Sequence, residues 1–355
     1  MRDDAAVQAV FNPWALNLFT HLLEGATRVL LSCHARPDGD AIGSMVGLGL
    51  VLKTLGKEVT CLSPNGVPAA YSWIEDGGVL RVFDDDPEGF RTEAASYDLC
   101  ISLDYNALSR VDPQLCAILE RIEAPRVMID HHDYPSSEFD LYFSYPPASS
   151  TAELVYEFAQ RLWGKECLTR PIATALYMGL MTDTGSFSYS VDRPRTFEVG
   201  GALVECGADV PDIQSHVYGS FSEGRMRLYG YALYNRMKII AGGEAAIIPL
   251  TRFSLDEYGY QAGDTEGLVN EPLKIAGVLV SVMLTEKKTG NVRVSIRSRF
   301  GVEVHRLAMR YFNGGGHPKA SGGQLKMDLR TATKYTEEIL VGFLANGGIT
   351  PPPND

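Results

Sequence analysis

The sequence is short of the features that mark membrane, secreted and zinc-ribbon proteins. Its six cysteines lie far apart and form no C-x-x-C pair, which excludes zinc ribbons and dithiol redox motifs. Its longest apolar runs, such as 42–52 and 171–181, span about eleven residues, whereas a membrane-spanning helix needs about 20. The first residues, MRDDAAVQAV, lack the basic-then-apolar pattern of a secretion signal. We therefore expect no membrane association and a reducing, cytoplasmic setting.

Positive charge is also scarce. The chain has 32 Lys and Arg against 44 Asp and Glu, so its formal net charge is −12. Because proteins that coat long nucleic acid neutralise phosphates with Lys and Arg, this balance argues against such a partner, and any basic site must be local. Hydrophobic residues make up 45% of the 355-residue chain, which suffices for the cores of about two domains and excludes a disordered protein.

The first half of the chain alternates strand-like and helix-like segments. Short apolar runs predict buried strands, and apolar residues at helical spacing predict the helices between them. A capping box, Ser150-x-x-Glu153, marks the start of one helix. The predicted strands are 28–33, 58–62, 98–103 and 126–129, and the predicted helices are 41–55, 113–122, 150–163 and 171–181. This alternation predicts an α/β fold with a mostly parallel sheet flanked by helices.

The second half has a different pattern. Three helical stretches within 195–237, with no strand between them, predict a helical connector. Beyond it the predicted strands are 245–248, 276–284, 292–296 and 324–327, and the predicted helices are 302–311 and 332–344. These segments predict a smaller C-terminal α/β domain with a mixed sheet over 238–348, followed by a flexible tail over 349–355.

Polar side chains follow three of the predicted strands and end one helix. They are His34, Asp38 and Asp40 after the first strand; Asp104 and then Arg110 after the third; Asp130, His131 and His132 after the fourth; and Asp183 at the end of helix 171–181. Open α/β sheets bind ligands at the carboxyl ends of their strands, so we expect these residues to meet. Taken singly, Asp40, Asp104 or Asp183 could be a helix cap or a turn residue, but two adjacent histidines beside an acid are hard to explain by packing.

The set suits divalent metal ions. Four carboxylates with two imidazoles are too acidic for a structural zinc site, and mixed oxygen and nitrogen ligands suit Mn²⁺ better than Mg²⁺. Clustered carboxylates repel one another without cations, and two metals about 3.5–4 Å apart would activate a bridging water and clamp a phosphoryl group. Adjacent residues on an extended chain point to opposite sides, so one of His131 and His132 can bind metal while the other reaches a substrate. Asp130 can orient the ligand histidine.

The order H-x-x-P-D-x-D-A-x-G-S, then a strand-end Asp, then D-H-H, then D-T-G, resembles the DHH phosphoesterase family over about 28–190. The resemblance implies a catalytic metal-binding domain over 1–194 that binds two Mn²⁺, with Mg²⁺ or Co²⁺ as substitutes. It implies two metal sites that share one carboxylate: His34, Asp38 and Asp104 for the first, and Asp40, Asp104, His131 and Asp183 for the second. His132 would contact the scissile phosphate, and Asp130 would support His131.

A second signature lies in the C-terminal half. The segment 313–322, NGGGHPKASG, is glycine-rich, and backbone amides in such a loop can approach a phosphate closely. The stretch 286–319 contains eight Lys or Arg and two Glu, so its local net charge is +6. A basic surface and a glycine turn would explain either feature alone, but together they resemble the DHH-associated C-terminal domain. This resemblance implies substrate contacts from Ser295, Arg297, Ser298, Gly314, Gly315, Gly316 and His317, with Arg110 contributing from the first domain.

Within the family, the chain most resembles the stand-alone nanoRNase and pAp-phosphatase group. The resemblance implies a Mn-dependent phosphohydrolase of short nucleotides: linear dinucleotides, nanoRNA or 3′-phosphoadenosine 5′-phosphate (pAp). Three alternatives stay open: a cyclic-dinucleotide phosphodiesterase of the same family, a pyrophosphatase or polyphosphatase, and a non-catalytic nucleotide- or RNA-binding module. Relatives commonly dimerise, which implies a homodimer.

Overall fold

The computed structural model describes residues 9–188, 191, 193–261, 263–299 and 301–347. The chain divides into a first unit that ends at Ser220 and a second that begins at Phe221. This boundary falls inside the segment predicted as a connector, so the helices of that segment belong to one unit or the other. The predicted tail, 349–355, lies outside the described residues. In the part of the chain described here, no helix combines the length and the apolar character that crossing a bilayer requires.

The sheet of the first unit has six strands. They are β1 Arg28–Ser32, β2 Glu58–Ser63, β3 Leu80–Val82, β4 Leu99–Leu103, β5 Arg126–Asp130 and β6 Leu141–Ser144. All pairs are parallel, in the order β3-β2-β1-β4-β5-β6, which confirms the predicted parallel sheet. The two strands that the sequence did not predict, β3 and β6, are the short edge strands.

Helices cover both faces of this sheet. They are α1 Pro13–Gly25, α2 Gly39–Thr54, α3 Pro87–Glu93, α4 Pro113–Leu119, α5 Thr151–Trp163, α6 Arg170–Asp183, α7 Pro194–Glu205 and α8 Val210–Tyr218. Side chains alternate along β1, so Val29 and Leu31 join the core under α2, α5 and α6, whereas Leu30 joins the core under α3 and α4. The sheet is therefore buried on both sides, as parallel sheets are.

A glycine sets the spacing between α2 and α6. A Cβ added at Gly43 would collide with the carbonyl oxygen of Ala175 on α6. The two helices therefore approach more closely than larger side chains would allow. A Cβ at Gly39 would likewise collide with the side chain of Thr182, so the start of α2 lies beside the end of α6, where Asp183 lies.

The second unit is a mixed sheet between helical layers. Its strands are β7 Lys238–Ile240, β8 Ala245–Leu250, β9 Val280–Glu286, β10 Val292–Ser298, β11 Gly315–His317 and β12 Ala320–Leu325. Its helices are α9 Glu223–Tyr231, followed by a π-helical turn Ala232–Arg236, then α10 Arg252–Glu257, α11 His305–Tyr311 and α12 Leu329–Ala345. The strand order is β11-β12-β10-β9-β8-β7, with only β8 and β9 parallel among the described pairs. The predicted mixed sheet is thus confirmed.

Candidate active site

The carboxyl ends of β1, β4 and β5 bring the predicted metal-binding residues together. The chain order of the strands reverses between β1 and β4, and such switch points leave a crevice for ligands. His34 follows β1 by two residues, Asp104 follows β4 directly, and Asp130 is the last residue of β5. Residues far apart in the sequence thus meet at the carboxyl end of the sheet.

Asp104 lies at the centre of the cluster and is 2% exposed. Its Oδ2 is 3.3 Å from Nε2 of His34, and its Oδ1 is 3.6 Å from Nε2 of His131. The two oxygens therefore face different histidines, as a carboxylate shared between two cations would. The backbone of Asp104 has φ +63°, a left-handed conformation that Asn and Asp tolerate better than other non-glycine residues. Such an outlier at a buried polar cluster suggests a functional constraint.

Asp38 and Asp40 have different roles at the start of α2. Asp38 is the N-cap, and its Oδ1 accepts hydrogen bonds from two amides of the first turn while its Oδ2 lies 3.8 Å from Nε2 of His34. Asp40 is buried in that first turn. Its carboxylate accepts hydrogen bonds from the backbone amides of Thr151 and Ala152, at 2.6 and 2.8 Å. Asp40 therefore also binds the N-terminus of α5, where the helix dipole favours an anion.

A segment that the sequence marked only as a helix start holds three of the predicted ligands. We call residues 148–152 the α5 start segment. The carbonyl of Ala148 accepts from Nδ1 of His131 at 3.2 Å, and the Thr151 hydroxyl donates to Asp104 at 3.0 Å. The amides of the same segment bind Asp40. This segment therefore orients His131, Asp104 and Asp40 at once.

The α5 start segment is itself fixed by a buried ion pair. The Ser150 hydroxyl caps α5 by accepting from the amide of Glu153 at 3.0 Å. The Glu153 carboxylate does not return to Ser150, as a full capping box would require. It accepts instead from the hydroxyls of Ser149 and Thr196, at 2.6 and 2.9 Å, and pairs with Arg193 at 2.9 Å. Only the Ser150 half of the predicted capping box is formed, because the Glu153 carboxylate is bound to its buried partners instead.

The predicted partner of Asp130 was wrong. Its Oδ1 lies 2.8 Å from Nδ1 of His132, whereas His131 bonds to a backbone carbonyl. The reason is the alternation of side chains at the end of β5: residues two apart share a side, and neighbours do not. On its other edge, Nε2 of His132 is 3.5 Å from the guanidinium of Arg110. Asp130 therefore orients His132.

Asp183 completes the cluster from the end of α6. Its Oδ2 lies 3.5 Å from Nε2 of His131. The next turn is unusual, because Gly185, Ser186 and Phe187 all have positive φ, of 53°, 55° and 61°. Consecutive left-handed residues are costly and persist only where the surroundings fix them. The hydroxyl of Ser186 is held by an amide donor from α8, at 2.9 Å.

The cluster requires compensating positive charge. Burial opposes the charged form of His34, but hydrogen bonds with Asp104 and Asp38 outweigh it and raise its pKa to about 10. The pKa of His131 is likewise raised to about 10, against burial, by the surrounding carboxylates. Burial raises the pKa of Asp183 to about 6 although His131 opposes this. Protons on the histidines, or cations in their place, are needed to hold these carboxylates together.

The donor set fits divalent cations. Both ligand histidines direct Nδ1 to a backbone carbonyl, which leaves Nε2 facing the carboxylates in the arrangement typical of metal ligands. The ligand atoms form two compact groups, each within 4.8 Å: His34, Asp38 and Asp104, and Asp40, Asp104 and His131. Asp104 belongs to both groups, so each group, with Asp104 as a common member, could hold a divalent cation.

The predicted substrate residues of the second unit lie on β10 and β11, except Gly314, which directly precedes β11. Arg297 and His317 stand in one row across β10, β12 and β11, so they project from the same face of the sheet. Ser295, two residues before Arg297, is on that face as well. Ser298 projects to the other side, is buried, and donates its hydroxyl to the carbonyl of Val302. The hydroxyl of Ser298 thus has a structural contact on that side, and its predicted substrate contact stays a prediction.

The predicted glycine-rich loop is partly a strand. Gly315–His317 form β11, which pairs with β12. A Cβ at Gly314 would collide with the carbonyl oxygen of Gly322, so close packing of the strands requires glycine there. Gly316 has φ +133°, which also requires glycine. At Gly315 an added Cβ would meet only a side-chain carbon at 3.9 Å, so this glycine leaves open space before the sheet.

Two family profiles match the chain. The profile of the DHH family, N-terminal domain, matches residues 28–180, and that of the DHHA1 domain matches residues 245–341. The first match contains five of the six predicted metal ligands, while Asp183 lies three residues beyond its end. The second contains the face that carries Ser295, Arg297 and His317.

Known proteins with similar sequences match both units. A probable bifunctional oligoribonuclease and PAP phosphatase NrnA from Streptococcus mutans is 30% identical over 294 residues, which cover 83% of this chain and 88% of that protein. The bifunctional oligoribonuclease and PAP phosphatase NrnA from Thermus thermophilus is also 30% identical, over 324 residues, 90% of this chain and 91% of that one. The crystal structure of an exopolyphosphatase-related protein from Bacteroides fragilis superposes with a TM-score of 0.88 at 35% identity, covering 94% of this chain and 97% of that one.

Proposed function

Because the chain belongs to the DHH family, with a DHH domain followed by a DHHA1 domain, we propose that it is a divalent-metal-dependent phosphohydrolase of short nucleotides. The observation that carries the proposal is the convergence of acids and imidazoles on buried Asp104, whose two oxygens face His34 and His131. Burying so many ionisable groups is costly, and a module that only binds nucleotides does not need them.

The ligand assignment follows the two compact groups of donors. We assign His34, Asp38 and Asp104 to one cation, and Asp40, Asp104 and His131 to the other. Asp183 belongs to neither group, and we add it to the second cation because its Oδ2 lies 3.5 Å from Nε2 of His131. We propose Mn²⁺ as the ion because it accepts imidazole together with carboxylate ligands. Bound here, divalent cations would offset the charge of a phosphoryl group and lower the pKa of water.

His132 is placed to act on the scissile phosphate. Its Nδ1–H donates to Asp130 at 2.8 Å, which fixes the ring and turns Nε2 toward the guanidinium of Arg110. With a proton on Nε2, His132 can donate to a phosphate oxygen, beside the guanidinium of Arg110. Hydrogen-bond donors from both residues on one side of the phosphate would stabilise the charge that develops during hydrolysis.

Short nucleotides are the substrate class that the composition and the relatives favour. The acidic chain has only a local basic stretch, which suits a ligand with few phosphates. The two NrnA relatives are named for oligoribonuclease and PAP phosphatase activities, and we propose linear dinucleotides, nanoRNA and pAp as substrates. Arg297 and His317 would contact the nucleotide from their shared face. All six cysteines are free thiols, which suits a reducing compartment, and we propose a cytoplasmic location. We also propose a homodimer, as the family resemblance implies.

A substrate panel tests the proposal. The purified chain, loaded with Mn²⁺, is incubated with pApA, pAp, cyclic di-AMP and pyrophosphate, and the products are separated by chromatography. We expect hydrolysis of pApA or pAp that EDTA abolishes and Mn²⁺ restores. Faster turnover of cyclic di-AMP or of pyrophosphate would favour those alternatives, and no turnover of any of the four would refute the proposal.

A matched pair of variants separates an enzyme from a binding module. Asp104→Asn keeps the shape of the side chain and tolerates the left-handed backbone, but it removes the shared charge. Asp85→Asn makes the same change at an exposed position of the same unit. We expect Asp104→Asn to lose more than about 100-fold in kcat, since it removes a charge at the reacting centre, and Asp85→Asn to lose none. Equal activity in both variants would contradict the assignment.

A further inference from the structure

One tyrosine beside the proposed active site is placed where folding gives no reason for it. Tyr134 is 92% exposed and has φ +59°. A bulky residue with positive φ is a genuine outlier, and the proline that follows narrows its backbone further. An exposed side chain gains nothing from packing that could offset this strain. The position therefore suggests a function that needs an aromatic ring at that point.

The loop around Tyr134 is clamped at both ends by one residue. The side-chain amide of Asn106 donates to the carbonyl of Asp133 at 2.6 Å, and its backbone carbonyl accepts from the amide of Ser136 at 2.7 Å. Tyr134 and the proline after it form a two-residue excursion between these bonds. Asn106 lies only two residues beyond Asp104. The clamp thus fixes the position of the tyrosine relative to the central carboxylate.

The same loop begins at His132, the histidine proposed to contact the phosphate. Tyr134 follows it by two residues, and the guanidinium of Arg110 lies against His132 on its exposed edge. The exposed ring is therefore carried by the loop that leaves the site, two residues beyond the histidine that would contact the phosphate. The candidate metal ligands are polar or charged, so the ring is an aromatic surface that this loop offers to a nucleotide bound at the site.

We propose that Tyr134 is a stacking platform for the nucleobase next to the scissile phosphate. The inference rests on the proposed function, which it deepens by naming the residue that distinguishes a nucleotide from other phosphate compounds. Every base has a π-face, so stacking on a tyrosine favours nucleotides without selecting one base. Because the loop is held by the clamp, the ring is presented without ordering a flexible segment on binding.

The experiment compares substrates with and without bases. Kinetics with Mn²⁺ are measured on pApA and on an otherwise identical dinucleotide that lacks both bases. The variants are Tyr134→Ala, Tyr134→Phe and Tyr134→Gly, with Tyr234→Ala as the control. Tyr234 is also a highly exposed tyrosine, 89% exposed, but it lies on the π-helical turn of the second unit.

We expect Tyr134→Ala to raise KM for pApA by about 5- to 150-fold, as loss of one stacked base should, with kcat within about twofold. KM for the base-free substrate should stay within about twofold. Tyr134→Phe should match the wild type on both substrates, and Tyr234→Ala should change neither. Tyr134→Gly should lose affinity like Tyr134→Ala while its melting temperature equals or exceeds that of the wild type, because glycine accepts positive φ without cost.

Two results would overturn the inference while leaving the proposed function intact. One is an unchanged KM of Tyr134→Ala for pApA. The other is an equal loss on the base-free substrate, which would show that the tyrosine acts on the phosphate site or on the fold. Failure of the proposed function would give a different result, since the wild type itself would then hydrolyse neither pApA nor pAp.

Discussion

Thr151 offers the sharpest test of how the α5 start segment organises the site. Its side chain is fully buried, and its hydroxyl donates to Oδ1 of Asp104 at 3.0 Å. Thr151→Val removes this donor with little change of volume and leaves the backbone amide that binds Asp40. A hydrogen bond to a charged acceptor contributes about 1.5–3 kcal/mol. Without it, the Asp104 carboxylate loses the bond that sets its orientation.

The loss should appear in metal binding. Removing a group that orients a metal ligand costs about 10–100-fold in affinity, which agrees with the lost hydrogen bond. We expect the Mn²⁺ concentration for half-maximal activity to rise by that factor, with kcat at saturating Mn²⁺ within about threefold of the wild type. Calorimetric titration of the metal-free protein should give the same factor.

Two further variants make this prediction refutable. Thr151→Ser keeps the hydroxyl and should restore most of the Mn²⁺ affinity. Thr333→Val removes a buried threonine hydroxyl that donates to the carbonyl of Leu329 in the second unit, so it makes the same chemical change at a hydroxyl that is bonded to the backbone and not to a candidate ligand. If folded Thr151→Val binds Mn²⁺ as tightly as Thr333→Val, the orienting role of the α5 start segment is wrong.

Three other perturbations have definite outcomes. Asp130→Asn keeps the shape but removes the carboxylate that accepts from Nδ1 of His132 and orients its ring, so kcat should fall by about 100-fold with KM within threefold in steady-state assays. Gly43→Ala forces a Cβ into a carbonyl of α6 and should lower the free energy of unfolding by about 1–3 kcal/mol in urea, whereas Gly25→Ala, where nothing lies within 4 Å, should not. His34 and His131 have a pKa of about 10 in the folded metal-free protein against roughly 6.5 unfolded, so their stabilising contribution is complete below pH 6.5 and is lost as pH rises through 10. The melting temperature in EDTA should therefore fall over this range, and a flat profile would contradict the assigned contacts.

The strands that position the site were readable from the sequence because each is a buried apolar run that ends at a polar residue. β1, β4 and β5 were predicted to within about one residue for this reason. The strands β3 and β6 were not, since three or four residues at a sheet edge carry too little pattern to identify. Their pairing depends on the neighbouring strands, which no local pattern describes.

The candidate ligands were likewise predictable, but the groups that orient them were not. Thr151 bonds to Asp104 across 47 residues and to Asp40 across 111, and its own neighbourhood shows only a helix start. The partner of Asp130 was missed for a different reason. The alternation of side chains along β5 already implies that Asp130 lies beside His132, but family resemblance assigned it to His131 instead.

The central claim is that Asp104 is shared by two cations. The most direct measurement is the number of Mn²⁺ ions bound per chain, combined with electron paramagnetic resonance to detect magnetic coupling between them. We predict two coupled Mn²⁺ ions per chain in the wild type, and loss of the coupling in Asp104→Asn. A single isolated Mn²⁺ whose binding is the same in both proteins would contradict the claim.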